Sequence, residues 1–360
     1  MQLTAHSAAR ASVRGSLAFV TVAALALGLT ACSGSEDPVP TPTVTVDPDV
    51  DADKNAAPEP VVPIVWPLTG VAVEEVPARP AIAVKVENTA AARPQSGLED
   101  ADIVWETIVE YEVSRFIAVF NSSFPKEVGP VRSARPVDLR VVTPANPLFV
   151  FSGAQKKMVQ RIAKSDVQAI SHDAGAAGLS RSSARRAPHN VYANLKTIIK
   201  AADAEHSAAP AQQFTYAADA ATASAAATGT DTKTISLNMS AAAKPSWQWS
   251  KDAWKRSEGS AKAMNAKGDQ LQAVNVVVIE VKQIDSGLNA QGGTMVPDNV
   301  LEGRGKALVA TGGKTLEVEW VKKDKKTPLT LEKDGQPINL APGNTWVELM
   351  PKGTGSYKLS

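Results

Sequence analysis

Arg93, Arg115, Arg132, Arg135, Arg181, Arg185 and Arg186 all fall at strand ends or in loops of one region of the chain. A guanidinium stays charged at any working pH and presents a planar fork that matches phosphate or carboxylate, so several that converge form an anion cradle. Ser152-Gly153, directly after Leu148-Phe149-Val150-Phe151, adds to that expectation. A glycine turn from a buried strand into a helix aims backbone N–H groups at whatever lies beyond the strand end. Glu106, Glu110 and Glu112 share one parity and would share a face if their strands ran through without a bulge. Two carboxylates held close could divide the roles of acid and base, or hold a divalent cation together with Asp138. Glu106, inside Val-Trp-Glu-Thr-Ile, is the stronger candidate, because Glu110-Tyr111-Glu112 also reads as a hairpin tip in water. Two arrangements fit these charges. The arginines line an open cleft, or Arg115 and Arg135 pair with Glu106, Glu110 or Glu112 as structural ion pairs.

Of the four histidines, His6 belongs to an N-terminal leader and His206 to an Ala-rich connector, where it reads as solvated. His172-Asp173 and His189-Asn190 remain. Neither has zinc-site spacing and no second cysteine is present, so neither a metal nor a cofactor is expected. Ser152, His189 and Asp173 could be drawn as a triad, but no nucleophile-elbow pattern surrounds Ser152. Trp247, Trp249, Trp254, Trp320 and Trp346 stand out where aromatics make up 5% of the chain. Clustered tryptophans either stack on sugar rings or form the core of a small β domain, and the core is the commoner use.

The elements that must position these groups follow from periodicity. Ile103 to Val109 and Val113 to Phe120 are β-branched runs that anchor a sheet, with Ala81 to Val86 and Leu148 to Phe151 as further strands. Val137 to Val142 predicts a brief helix stopped by Pro144, and Met158, Val159 and Ile162 follow helical spacing within Ala154 to Lys164. Val167 to Ile170 predicts a strand and Leu195 to Ala202 a helix. Strands alternating with helices give an α/β domain, a mixed sheet with flanking helices, over residues 66–200. An Ala-rich stretch, 201–230, reads as a connector. Over 231–360, short strands separated by Gly, Asp and Pro turns give a smaller, mostly-β domain.

The chain begins with Arg10 and Arg14, then an apolar run from Leu17 to Leu29, too short to span a bilayer, closed by Leu29-Thr30-Ala31-Cys32. Small residues before a cysteine match the bacterial lipobox, so residues 1–32 read as a lipoprotein signal peptide with Cys32 as the lipidated residue. Two or more acyl chains hold a protein stably in a bilayer. Residues 33–65, rich in Pro, Asp and Thr, bury too little apolar surface to order and read as a tether. Lys plus Arg number 38 against 37 for Asp plus Glu, a net charge of +1, so nothing draws the whole chain to nucleic acid and any anion site is local. A single cysteine forms no internal disulfide, leaving stability to packing.

Ala92-Arg93-Pro94-Gln95-Ser96-Gly97-Leu98, Ser114-Arg115-Phe116, Gly129-Pro130-Val131-Arg132-Ser133-Ala134-Arg135-Pro136 and Ala187-Pro188-His189-Asn190-Val191-Tyr192 resemble successive blocks of the YerB-like lipoprotein family. Asn275-Val276-Val277-Val278 and Gly343-Asn344-Thr345-Trp346-Val347 resemble its C-terminal unit. The resemblance implies a lipid-anchored two-domain protein on the extracytoplasmic face of the cell membrane, in a family with no assigned activity. Two blocks depart from the pattern: Tyr111-Glu112 stands where glycines are expected, and Phe151-Ser152-Gly153-Ala154 where His-Ser-Gly-Gly is expected.

The expected site comprises Arg93, Glu106, Arg115, Arg132, Arg135, Ser152, Gly153, His189 and Asn190. The expected function is non-catalytic binding of an anionic, phosphate-bearing envelope polymer or precursor. The alternatives are a metal-assisted phosphodiester or phosphotransfer enzyme acting on wall precursors, and a scaffold in which the β domain docks a protein.

Overall fold

The structure, a computed structural model, describes residues 63–360. The signal peptide, Cys32 and nearly all of the tether therefore lie outside the described residues. Near the start of the described residues, Val65 bridges to Ala72.

The β-branched runs form Ile82–Glu87 (β1), Ile103–Ile108 (β2), Ser114–Phe120 (β3), Leu148–Phe151 (β4) and Gln168–Ser171 (β5). Pro136–Val142 is helix α1, Lys156–Ile162 is α2 and Leu195–Ile198 is α3. Pro136 suits the first turn of α1, where its missing N–H costs nothing, and Pro144 sits in the short turn that ends it.

One 13-stranded mixed sheet contains strands of both the N-terminal and the C-terminal part. From one edge its order is 336–337, 330–333, 314–322, 303–311, 275–289, 345–351, β2, β3, β1, β4, β5, with 295–300 pairing on 275–289 and 230–231 on 314–322 outside that path. The 345–351 strand lies between the halves. It runs parallel to β2, with Ile103 opposite Thr345, and parallel to the 275–289 strand on its other side.

Because side chains alternate along a strand, the sheet has two inner faces. One carries Val84, Val104, Phe116, Val276 and Trp346, covered by a six-stranded sheet that contributes Ile235, Trp247 and Trp254. The tryptophans there are core residues: Trp247 and Trp254 are fully buried and Trp346 nearly so. The opposite face carries Trp105, Ile117, Phe149 and Val277 and is covered by α1, α2 and the segment around Phe214.

That segment corrects the reading of 201–230 as a connector. Phe214 is buried and stacks on Trp105 at 6.2 Å, strand Thr215–Tyr216 pairs with Asn339–Leu340, and helix Ser224–Thr228 buries Ala225. Small side chains let this helix approach the sheet closely, so low hydrophobic bulk here marks tight packing. His206 is likewise buried, held by Asp203 and the Asp166 carbonyl. Phe214→Leu is expected to lower stability by about 1–2 kcal/mol in urea unfolding. A solvated connector would show no change.

Candidate functional site

Glu87 ends β1 directly opposite Arg115 near the start of β3, with Lys85 two residues back on the same face. The loop before α1 brings Arg132 and Arg135 to the same strand ends, and the Arg132 N–H donates to the Lys85 carbonyl at 2.8 Å. Ser152 follows β4, its N–H donating to the Arg132 carbonyl. Around these groups lies an open cleft of about 610 Å³, lined by Glu87, Thr89, Glu110, Arg115, Arg132, Arg135, Ser152, Gly153, Asp173 and His189. The C-terminal part supplies another wall. Tyr111 donates its hydroxyl to the Gln291 carbonyl, and Gln155 donates to the Asn289 carbonyl at 2.9 Å.

Arg115 and Arg135 share one carboxylate. Arg135 donates through Nε at 2.7 Å and through Nη2 to Glu110, and Arg115 donates to Glu110 at 3.3 Å. Burial alone would push Glu110 up, but Arg135 and Arg115 hold it down at about 2. Arg115 is pushed down to about 10 by burial and then by the crowding of Arg135, with Glu110 opposing both. Beneath them, Lys85 Nζ sits 2.6 Å from Asp138 and neither is exposed. Burial pushes Lys85 down to about 8 against the pull of Asp138. Asp138 also accepts the Arg135 backbone N–H at 2.7 Å, which caps α1.

Arg132 and His189 meet at Glu87. Arg132 Nε lies 3.4 Å from one Glu87 oxygen, and His189 Nδ1 is 2.8 Å from the same oxygen. Glu87 is nearly fully buried and also accepts the Thr89 hydroxyl at 2.8 Å. Arg132 Nε is itself buried and has no hydrogen-bond partner among the described residues.

Several expected site residues lie elsewhere. Glu106 is fully buried on the opposite face of the sheet, paired with Arg256 at 2.6 Å. Parity explains the error: Thr107, not Glu106, is the β2 residue opposite Arg115. β2 ends at Ile108 and Glu110 opens the turn Glu110–Glu112, so Glu110 no longer follows the strand alternation of Glu106. Glu110, the weaker candidate by sequence, is the one in the cleft. Arg93 turns away to Asn88 and Glu258, and Asn190 is held by Arg181 and the Ser182 carbonyl. Arg185 donates to the Ala91 and Pro94 carbonyls.

Gly153 lines the cleft at φ +86°, with Asp173 packed where a Cβ would project. It does not open a helix, because α2 begins only at Lys156. The expected helix N-terminus beside the ligand is therefore absent at that position. Ser152 Oγ donates to the Val131 carbonyl, not to a histidine. Glu106 and Asp138, the carboxylates considered for a metal, are both closed off by buried cations. Glu87 was the residue missed. Its signal was Lys85 and Glu87 at alternate positions of an otherwise apolar strand, where buried charges need partners on the same face.

Residues 68–208 match the family described as "Protein of unknown function (DUF3048) N-terminal domain", and residues 235–347 match its C-terminal domain. The chain belongs to the DUF3048 family. Its two DUF3048 segments correspond to the mixed-sheet part with few helices and to the mostly-β part. "Putative lipoprotein YerB" of Bacillus subtilis (strain 168) is 29% identical over 307 residues, 83% of this chain and 89% of that protein. A crystal structure of YerB protein from Bacillus subtilis superimposes with a TM-score of 0.69 at 25% identity, covering 82% of this chain and 99% of that one. Among the described residues of this DUF3048 protein, no helix is long and apolar enough to cross a membrane.

Proposed function

We propose that the protein is a membrane-anchored extracytoplasmic lipoprotein whose cleft binds a phosphate-bearing anion of the cell envelope. The anchoring reading is supported by the lipobox ending in Cys32 and by the name of the Bacillus relative. The binding reading is carried by one observation: Arg132 lines the cleft with its side chain 20% exposed, its nearest carboxylate 3.4 Å away, beside two arginines that share a single carboxylate. Cations outnumber their close partners at this point. An incoming anion would meet the exposed part of the Arg132 guanidinium and relieve the crowding of Arg115 by Arg135. Asp173 adds negative charge at the rim, but it stands 65% exposed and pairs with His172.

The three arginines have different expected roles. Arg135 is tied to Glu110 and to the Ser133 and Ala134 carbonyls, so it holds the cleft wall. Arg132 has only a long bond to the Pro188 carbonyl and the 3.4 Å approach to Glu87. Arg132→Ala is expected to weaken phosphate binding roughly tenfold to a hundredfold, the loss of a charge-assisted hydrogen bond, with little change in melting temperature. Arg135→Ala is expected to destabilise the fold by about 1–3 kcal/mol. Calorimetric titration with phosphate and thermal melting of both variants test this. Unaltered binding in Arg132→Ala, or no binding by the parent protein, would remove the reading.

A further inference from the structure

Resting on the anion-binding reading, we propose that the cleft selects phosphate esters carrying a free hydroxyl close to the phosphate, as in a polyol or sugar phosphate. His189 is the residue that would recognise that hydroxyl.

The argument is one of tautomers. A carboxylate only accepts hydrogen bonds, and His189 Nδ1 lies 3.0 and 2.8 Å from the two Glu87 oxygens. In the neutral imidazole the proton therefore sits on Nδ1, which leaves the lone pair on Nε2. Nε2 has no hydrogen-bond partner among the described residues, and His189 lines the cleft. An acceptor in that position cannot bind the phosphate oxygens, which are acceptors too. It requires a donor.

Glu87 also fixes where that donor must be. Arg132 Nε lies 3.4 Å from the same carboxylate, so the arginine and the imidazole are neighbours across one buried group. A ligand whose phosphate engages Arg132 presents its ester substituent beside His189. A hydroxyl there completes both sites at once. Glu87 is anchored by the Thr89 hydroxyl and lies at the end of β1, so this pairing is built on the sheet and not on a loose loop.

The test compares sn-glycerol 3-phosphate with propyl phosphate at pH 8, where both are dianions with no phosphate proton to donate. The parent protein is expected to bind glycerol 3-phosphate roughly fivefold to tenfold more tightly, the worth of one hydrogen bond. In His189→Ala that ratio should fall to about one. Equal binding of the two esters by the parent protein would overturn the inference while leaving the anion-binding reading in place. Persistence of the ratio in the variant would also overturn it. Failure of the parent protein to bind either ester would remove both. The parent comparison stands whether or not the variant folds.

Discussion

Replacing Arg256 by methionine is expected to destabilise the protein by about 3–5 kcal/mol, the usual consequence of removing one partner from a buried ion cluster. Arg256 is completely buried and binds three acidic side chains: Glu106 at 2.6 Å, Glu258 at 2.8 Å and Glu348 at 2.8 Å. Its guanidinium lies 4.9 Å from the ring centre of Trp346, 5.2 Å from Trp247 and 5.3 Å from Phe116. Burial disfavours the charge, but the three glutamates outweigh it and raise the affinity of Arg256 for its proton. Methionine fills similar space without charge, so the loss should come mainly from the buried acidic side chains left without their hydrogen-bonding cation. Adding Glu106→Gln and Glu348→Gln to the Arg256→Met protein should therefore restore much of the stability in urea unfolding. If Arg256→Met unfolds within about 1 kcal/mol of the parent, the cluster is not what joins the two sheets.

The same cluster makes stability depend on pH. Burial is the largest influence on Glu106 and raises it to about 8 from an ordinary 4.5, with Arg256 opposing and the adjacent Glu348 reinforcing the rise. Between those values the folded chain keeps a proton that the unfolded chain has lost. Stability from this group is thus fully present below pH 4.5 and is lost as pH rises through about 8, on the order of a few kcal/mol. Glu110 acts with the opposite sign in another window: its stabilisation is present above pH 4.5 and lost as pH falls through about 2. Lys85 adds a third, between about 8 and 10.5, where stability rises with pH. Glu106→Gln removes only the first contribution. The urea midpoint of the parent should fall between pH 5 and pH 8, and that of Glu106→Gln should fall much less. Parallel curves for the two proteins would show that Glu106 does not titrate in this range.

Strands and short helices were legible because β-branched runs and turn residues specify them locally. The face on which each charge lies was not. Glu106 and Glu110 share a parity, but β2 ends at Ile108 and Glu110 already stands in the turn Glu110–Glu112, where strand alternation no longer assigns a face. No local pattern announces that end, since the apolar run continues through Val109. Arg256, the partner of Glu106, was hidden for another reason: it belongs to a different sheet far along the sequence. The arginine convergence was readable because Arg132 and Arg135 lie on one short loop beside a strand end. The Ala-rich segment was misread because small side chains signal both a loose linker and a close approach, and composition alone does not separate them.

The 345–351 strand, wedged between β2 and the 275–289 strand, joins the two halves of the large sheet. A polypeptide ending after the first family segment would leave β2 as an open border of unpaired amides and carbonyls, an invitation to adhere to another chain. The two family segments contribute strands to one and the same sheet. Fragments cut between them would report on stickiness and not on recognition, and ligand or partner assays belong on the joined pair.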